Sequence, residues 1–135
     1  MGNKKILVVD DEPDFLKMIK IRLEANDYNV IVASNGKEAL EQIKSVIPDA
    51  VLLDILMPGI DGLEVLKRIR KTNPNLPVFI ITAFSNEERF ESAKKLNASG
   101  FIVKTGDLQR EVENITNVLR LSDKFKNEKG GFLNL

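Results

Sequence analysis

The 135-residue sequence contains no cysteine and no histidine. Without cysteine there is no disulfide and no thiolate metal site, which fits a reducing compartment. Without histidine the chain has no imidazole metal ligand, no histidine general base and no histidine that can carry a phosphoryl group itself. Charge of one sign is not in excess: 20 Lys and Arg balance 20 Asp and Glu, for a net charge of zero. That balance offers neither a broad cationic face for nucleic acid nor an anionic tail. No apolar run approaches the roughly 18 residues that a membrane span needs. The opening residues, Met1 to Lys5, lead straight into a strand-like run, so no signal peptide is expected. Ile6 stands where a myristoylation signal beginning at Gly2 needs Ser or Thr. The expectation is a cytoplasmic domain that binds neither membrane nor nucleic acid.

What is present is enough apolar material, 43% of residues, for one domain with a real core. Five short, β-branched runs lie at Lys5–Val9, Asn29–Ala33, Ala50–Leu53, 78–81 and Gly100–Val103. Between and after them the apolar residues have helical spacing. Leu16, Ile19 and Leu23 form one stripe, and Ala39, Leu40, Ile43, Val46 and Ile47 the next. Leu63, Leu66 and Ile69 follow, then Phe90, Ala93 and Leu96, and last Leu108, Val112, Ile115 and Leu119. Asn35 with Glu38, Asp61 with Glu64, and Ser85 with Glu88 have capping-box spacing, and Pro48, Pro74 and Pro77 punctuate the connections. Repeated strand–helix units predict an α/β fold: a doubly wound, flavodoxin-like, five-stranded parallel sheet of order 2-1-3-4-5 with five helices. The domain is expected over residues 4–122. Residues 123–135, polar and Lys-rich before a Gly130-Gly131 pair, are expected to be a C-terminal tail or the stub of a linker.

Four of the runs end on polar, chemically capable residues. Val9 precedes Asp10 and Asp11, Leu53 precedes Asp54, Ile81 precedes Thr82, and Val103 precedes Lys104. Taken singly, an Asp or Thr at a strand end is commonly a cap or turn former, and a Lys there a solvated charge. Together they are expected on one rim, because open parallel sheets place their sites outside the carboxyl ends of the strands. Three clustered carboxylates repel one another, and a divalent cation relieves that repulsion. An oxygen-only ligand set suits Mg²⁺ better than zinc. An aspartate can serve as a phosphoryl nucleophile, with an ammonium and a hydroxyl to meet the phosphoryl oxygens.

The runs Leu7-Val8-Val9-Asp10-Asp11-Glu12-Pro13, Asp54-Ile55-Leu56-Met57-Pro58-Gly59-Ile60-Asp61-Gly62, Thr82-Ala83 and Phe101-Ile102-Val103-Lys104 resemble the receiver domains of bacterial two-component response regulators. The resemblance implies that Asp54 is the phospho-acceptor. It implies Mg²⁺ held by Asp11, Asp54 and the backbone carbonyl of Leu56, with Asp10 acting through water. Thr82 matches the switch hydroxyl, Lys104 the invariant-type lysine and Phe101 the switch aromatic. Such domains take their phosphoryl group from a phosphohistidine on a histidine kinase or histidine phosphotransfer protein. They pass the signal to a downstream protein target or output domain, and catalyse only their own phosphorylation and dephosphorylation. Leu56 and Phe84, two beyond the acceptor and two beyond the switch Thr, are both bulky and apolar, which predicts a long-lived phosphorylated state.

One departure from the family pattern concerns the lysine loop, where Thr105 stands in place of a proline that takes a cis bond. A cis bond before a non-proline residue costs about 2.5–4 kcal/mol, so the isomer at Lys104–Thr105 is open at this point. Three other classes fit less well. An aspartate-nucleophile phosphatase needs Asp-x-Asp after the first strand and a substrate cap, whereas here Asp10 and Asp11 are adjacent and no insertion is long enough for a cap. A nucleotide-binding domain needs a glycine-rich phosphate loop, and neither such pattern follows that strand. A degenerate receiver acting as a phosphate-independent interaction module is opposed by the presence of Asp10, Asp11, Asp54, Thr82 and Lys104.

Overall fold

The computed structural model describes residues 3–83, 86–125 and 132–134. Strands and helices alternate as β1 (Lys5–Val9), α1 (Pro13–Ala25), β2 (Asn29–Ala33), α2 (Gly36–Val46), β3 (Ala50–Leu53), α3 (Gly62–Thr72), β4 (Val78–Thr82), α4 (Glu87–Lys95), β5 (Gly100–Val103) and α5 (Leu108–Phe125). A two-residue strand, β6 (Leu133–Asn134), follows. The first five strands are parallel in the order β2-β1-β3-β4-β5, the doubly wound arrangement expected from the sequence.

Alternation along each strand divides the core in two. Leu7, Val9, Leu53, Ile80 and Phe101 face α2, α3 and α4. Ile6, Val8, Leu52, Phe79, Ile81 and Ile102 face α1 and α5. Burial on both faces is why the strands read as unbroken apolar runs rather than as alternating ones. The helices start on caps: Asn35 accepts from the Glu38 N–H at 2.8 Å and Asp61 from the Glu64 N–H at 2.9 Å, satisfying donors that have no partner within the helix.

The structure differs from the expected elements in four places. The cap of α4 is Asn86, which accepts from the Arg89 N–H at 2.8 Å; Ser85 lies outside the described residues. Ile47 does not join the buried stripe of α2. It is the helix's C-cap, left-handed at φ 54° and 72% exposed, because a helix cannot run through the following Pro48. Strand β4 includes Thr82. Finally, α5 continues to Phe125, and the described part of the C-terminal segment adds a parallel strand to β5, with Gly100 opposite Leu133 and Phe101 opposite Asn134.

Candidate functional site

Strand register assembles the site. Val9 lies opposite Leu53, and Thr82 opposite Val103, so the residues that follow emerge at one edge of the sheet. Backbone bonds extend the ladder one step further. The Asp54 N–H donates to the Val9 carbonyl at 3.0 Å, the Asp10 N–H to Ala33 at 3.1 Å, and the Lys104 N–H to Thr82 at 2.8 Å. The chain then leaves each strand, and the side chains of Asp10, Asp54, Thr82 and Lys104 converge.

Asp10, Asp54 and Thr82 are buried. Carboxylate oxygens of Asp10, Glu12 and Asp54 lie within 4.8 Å of one another. The Lys104 ammonium hydrogen-bonds the Asp10 carboxylate and lies 3.4 Å from Glu12 and 3.7 Å from Asp54. It also sits 4.0 Å above the centre of the Phe15 ring, a favourable cation–π position. The second Asp10 oxygen accepts from the Glu12 N–H at 2.9 Å. One ammonium thus faces three carboxylates. Among the described residues no buried side-chain nitrogen or oxygen lacks a partner.

Burial, and then the charge of Asp10, push the Asp54 carboxyl up from 3.8 to about 6, against the Lys104 charge and the hydrogen bonds of Thr82 and Leu56. Burial works to lower the Lys104 ammonium, but the hydrogen bond and charge of Asp10, with Asp54 and Glu12, outweigh it and raise the pKa above the usual lysine value. Burial comes first and the repulsion between the acids second in setting the electrostatics of the site, and a bound cation would relieve that repulsion.

The loop after Asp54 is held closely. A Cβ on Gly62 would lie 2.0 Å from the Asp54 carbonyl oxygen and 2.8 Å from the Ile55 Cα, so only glycine lets α3 start against the backbone that follows β3. The Gly62 N–H donates to Ile55 at 2.9 Å, and Gly59, at φ 80°, makes the turn between them. On the other side of the site the Lys104–Thr105 bond is trans. Thr105 has a structural use there, since its hydroxyl accepts from the Asp107 N–H at 3.2 Å while Asp107 accepts from Arg110 at 3.2 Å at the start of α5.

Of the residues singled out from sequence, Asp10, Asp54, Thr82 and Lys104 are brought together. Asp11 is exposed and stands outside the carboxylate cluster, where Glu12 takes the third place. Leu56 turns its N–H to Asp54 at 3.4 Å, with its side chain 38% exposed. Phe101 is buried away from the acids, its ring edge-on to Phe90 at 5.5 Å. Phe84 lies outside the described residues. Glu12, Phe15 and Glu111 were not foreseen. Glu111, buried in the first turn of α5, has its carboxyl raised by burial, against the pull of Lys104. Its signal was a single acid interrupting the Leu108, Val112, Ile115 stripe.

The profile of the response regulator receiver domain matches residues 6–116. The chain belongs to that family. The alkaline phosphatase synthesis transcriptional regulatory protein PhoP of Bacillus subtilis is 35% identical over 121 residues, covering 90% of this chain and 50% of PhoP. This receiver domain therefore spans half the length of that relative. A CheY-like receiver domain structure from Methanospirillum hungatei superposes with a TM-score of 0.82 at 28% identity, covering 91% of this chain and 98% of that one. The Thermotoga maritima response regulator TrrA, solved in complex with Mg²⁺ and BeF, superposes with a TM-score of 0.75 at 37% identity, covering 85% and 98%. Receiver domains are the regulatory phospho-acceptors of two-component systems, and the acidic pocket of Asp10, Glu12 and Asp54 fits that use. No helix among the described residues is long and apolar enough to cross a membrane.

Proposed function

We propose that this receiver domain is a signalling switch in which Asp54 accepts a phosphoryl group from a phosphohistidine on a histidine kinase or histidine phosphotransfer protein. An Asp54 carboxylate oxygen attacks phosphorus, the histidine N–P bond breaks, and the imidazole nitrogen keeps the bonding pair. The product is an acyl phosphate on Asp54. One observation carries this reading: a buried aspartate at the end of a central strand, with an ammonium 3.7 Å away and two further carboxylates within 4.8 Å. Lys104 meets the charge that grows on the phosphoryl oxygens, and the Thr82 hydroxyl, already bonded to Asp54, is placed to follow one of them.

The clustered carboxylates of Asp10, Glu12 and Asp54, two of them buried, make an oxygen-donor pocket that suits a hard divalent cation. We assign the cation as Mg²⁺, which the TrrA structure also holds, and on the resemblance to receiver domains its ligands as Asp11, Asp54 and the Leu56 carbonyl, with Asp10 acting through water. When bound, Mg²⁺ neutralises charge on the carboxylates and on the phosphoryl oxygens. In the cation-free arrangement Asp10 holds Lys104 by a hydrogen bond, with the exposed Glu12 carboxylate 3.4 Å from the ammonium. The surroundings of Thr82 and Phe101 change with the charge on Asp54, and that change reaches a downstream protein or an output domain beyond residues 4–122. The site is regulatory, acting on its own phosphorylation alone, in a cytoplasmic setting.

The reading is tested by intact mass after incubation with acetyl phosphate. The chain should gain one phosphoryl group with Mg²⁺, none with EDTA, and none as Asp54→Asn. Equal labelling of the Asn variant would overturn the assignment.

A further inference from the structure

A strand at the edge of a sheet exposes a row of unpaired N–H and C=O groups, which another extended segment can pair with. In the five-stranded order, β5 would be such an edge. Instead Gly100 and Phe101 pair in parallel with Leu133 and Asn134. The residue just before this strand, Phe132, is half-buried against the α3–α4 side of the core. Its ring stands edge-on to Phe90, with centroids 5.3 Å apart and an interplanar angle of 88°. Phe90 in turn stands edge-on to Phe101, at 5.5 Å and 68°. Three rings therefore run from the C-terminal segment to the buried middle of β5, all in the geometry that aromatic quadrupoles favour.

We propose that the β5 edge and the Phe90 ring form a strand-addition site filled in cis by the chain's own residues 132–134, with Phe132 as a latch that keeps Phe101 in its buried position. Backbone pairing gives such a site its hold, and one anchoring side chain gives it register. The occupant is this chain's own segment, since that segment is seated there and a short tether raises its local concentration to the millimolar range. A hold of two paired residues and one ring is also weak enough to be displaced, so the β5 edge can be opened without unfolding the sheet. This inference is independent of the phospho-acceptor reading, because docking needs neither cation nor phosphoryl group.

The test is residue-resolved amide exchange on the full chain without phosphodonor, comparing the parent with Phe132→Ala and Phe132→Leu. The Ala variant should lose about tenfold of the protection at the Phe101 amide, which faces the Leu133–Asn134 side of β5, with the Ile102 amide on the β4 side and the amides of β1 and β3 unchanged, and the Leu variant should keep much of it. With fluorinated phenylalanine incorporated, the Phe101 resonance should move toward the solvent-exposed range in the Ala variant alone. Unchanged protection and an unchanged Phe101 resonance would overturn the proposal. So would protection that rises with protein concentration alongside a dimer mass by light scattering, because the strand would then come from a second copy.

Discussion

Replacing Asp54 with Asn should change how stability depends on pH, and the size follows from the burial of its carboxyl and, after that, from the charge of Asp10. In the folded chain the carboxyl titrates at about 6, against 3.8 for an unperturbed Asp. Between those values the folded state binds more proton than the unfolded state, so stability falls as pH rises through the window. The penalty is absent below about pH 4 and fully present above about pH 6. At 1.36 kcal/mol per pKa unit it amounts to roughly 3 kcal/mol. The amide that replaces the carboxyl cannot ionise and carries no such penalty. In EDTA, urea unfolding of the parent and Asp54→Asn from pH 4 to 8 should give a difference that moves toward the variant by about 3 kcal/mol across pH 4–6, then levels. Subtracting the two curves removes the titrating groups that do not interact with position 54. Saturating Mg²⁺ should restore much of the parent's lost stability above pH 6. A difference that stays flat, or that moves toward the parent as pH rises, would refute the reasoning.

Four further substitutions probe the site. Lys104→Met strips the partner from the fully buried Asp10 and should cost about 3 kcal/mol in EDTA; a loss under 1 kcal/mol by urea unfolding would mean that the ammonium is not the counter-charge that holds the acids together. Asp11→Asn should weaken Mg²⁺ binding at least about tenfold by calorimetry, and Glu12→Gln much less; an equal loss in both would place Glu12 among the ligands. Gly62→Ala drives a methyl into the Asp54 backbone, so acetyl phosphate labelling should slow and the protein should lose about 1–3 kcal/mol; unchanged rates would show that the loop yields without moving Asp54.

The strand-end residues are legible in the sequence because parallel strands buried on both faces leave an uninterrupted apolar signal, and the first polar residue marks where the sheet stops. Asp10, Asp54 and Lys104 follow from that rule, and Thr82 misses it by one residue, since it still pairs with Val103. Glu12 was hidden for a different reason. It lies just past the strand, where side-chain direction depends on how the chain turns into α1, and that turn brings its carboxylate to 3.4 Å from the Lys104 ammonium. Phe15 and Glu111 sit on helices, at positions that periodicity assigns to packing. The sixth strand left almost no periodic trace, because two residues are too few to show one and Gly130-Gly131 reads as a loop.

The most direct measurement is residue-level trapping of the acyl phosphate. The chain is incubated with Mg²⁺ and phosphoramidate, whose N–P bond stands in for that of phosphohistidine. It is then reduced with borohydride, which converts an aspartyl phosphate to homoserine, digested, and read by peptide mass spectrometry. Homoserine at position 54 alone, dependent on Mg²⁺, is the expected result. Homoserine at position 10 or 11, or none at any position while the protein remains folded, would contradict it.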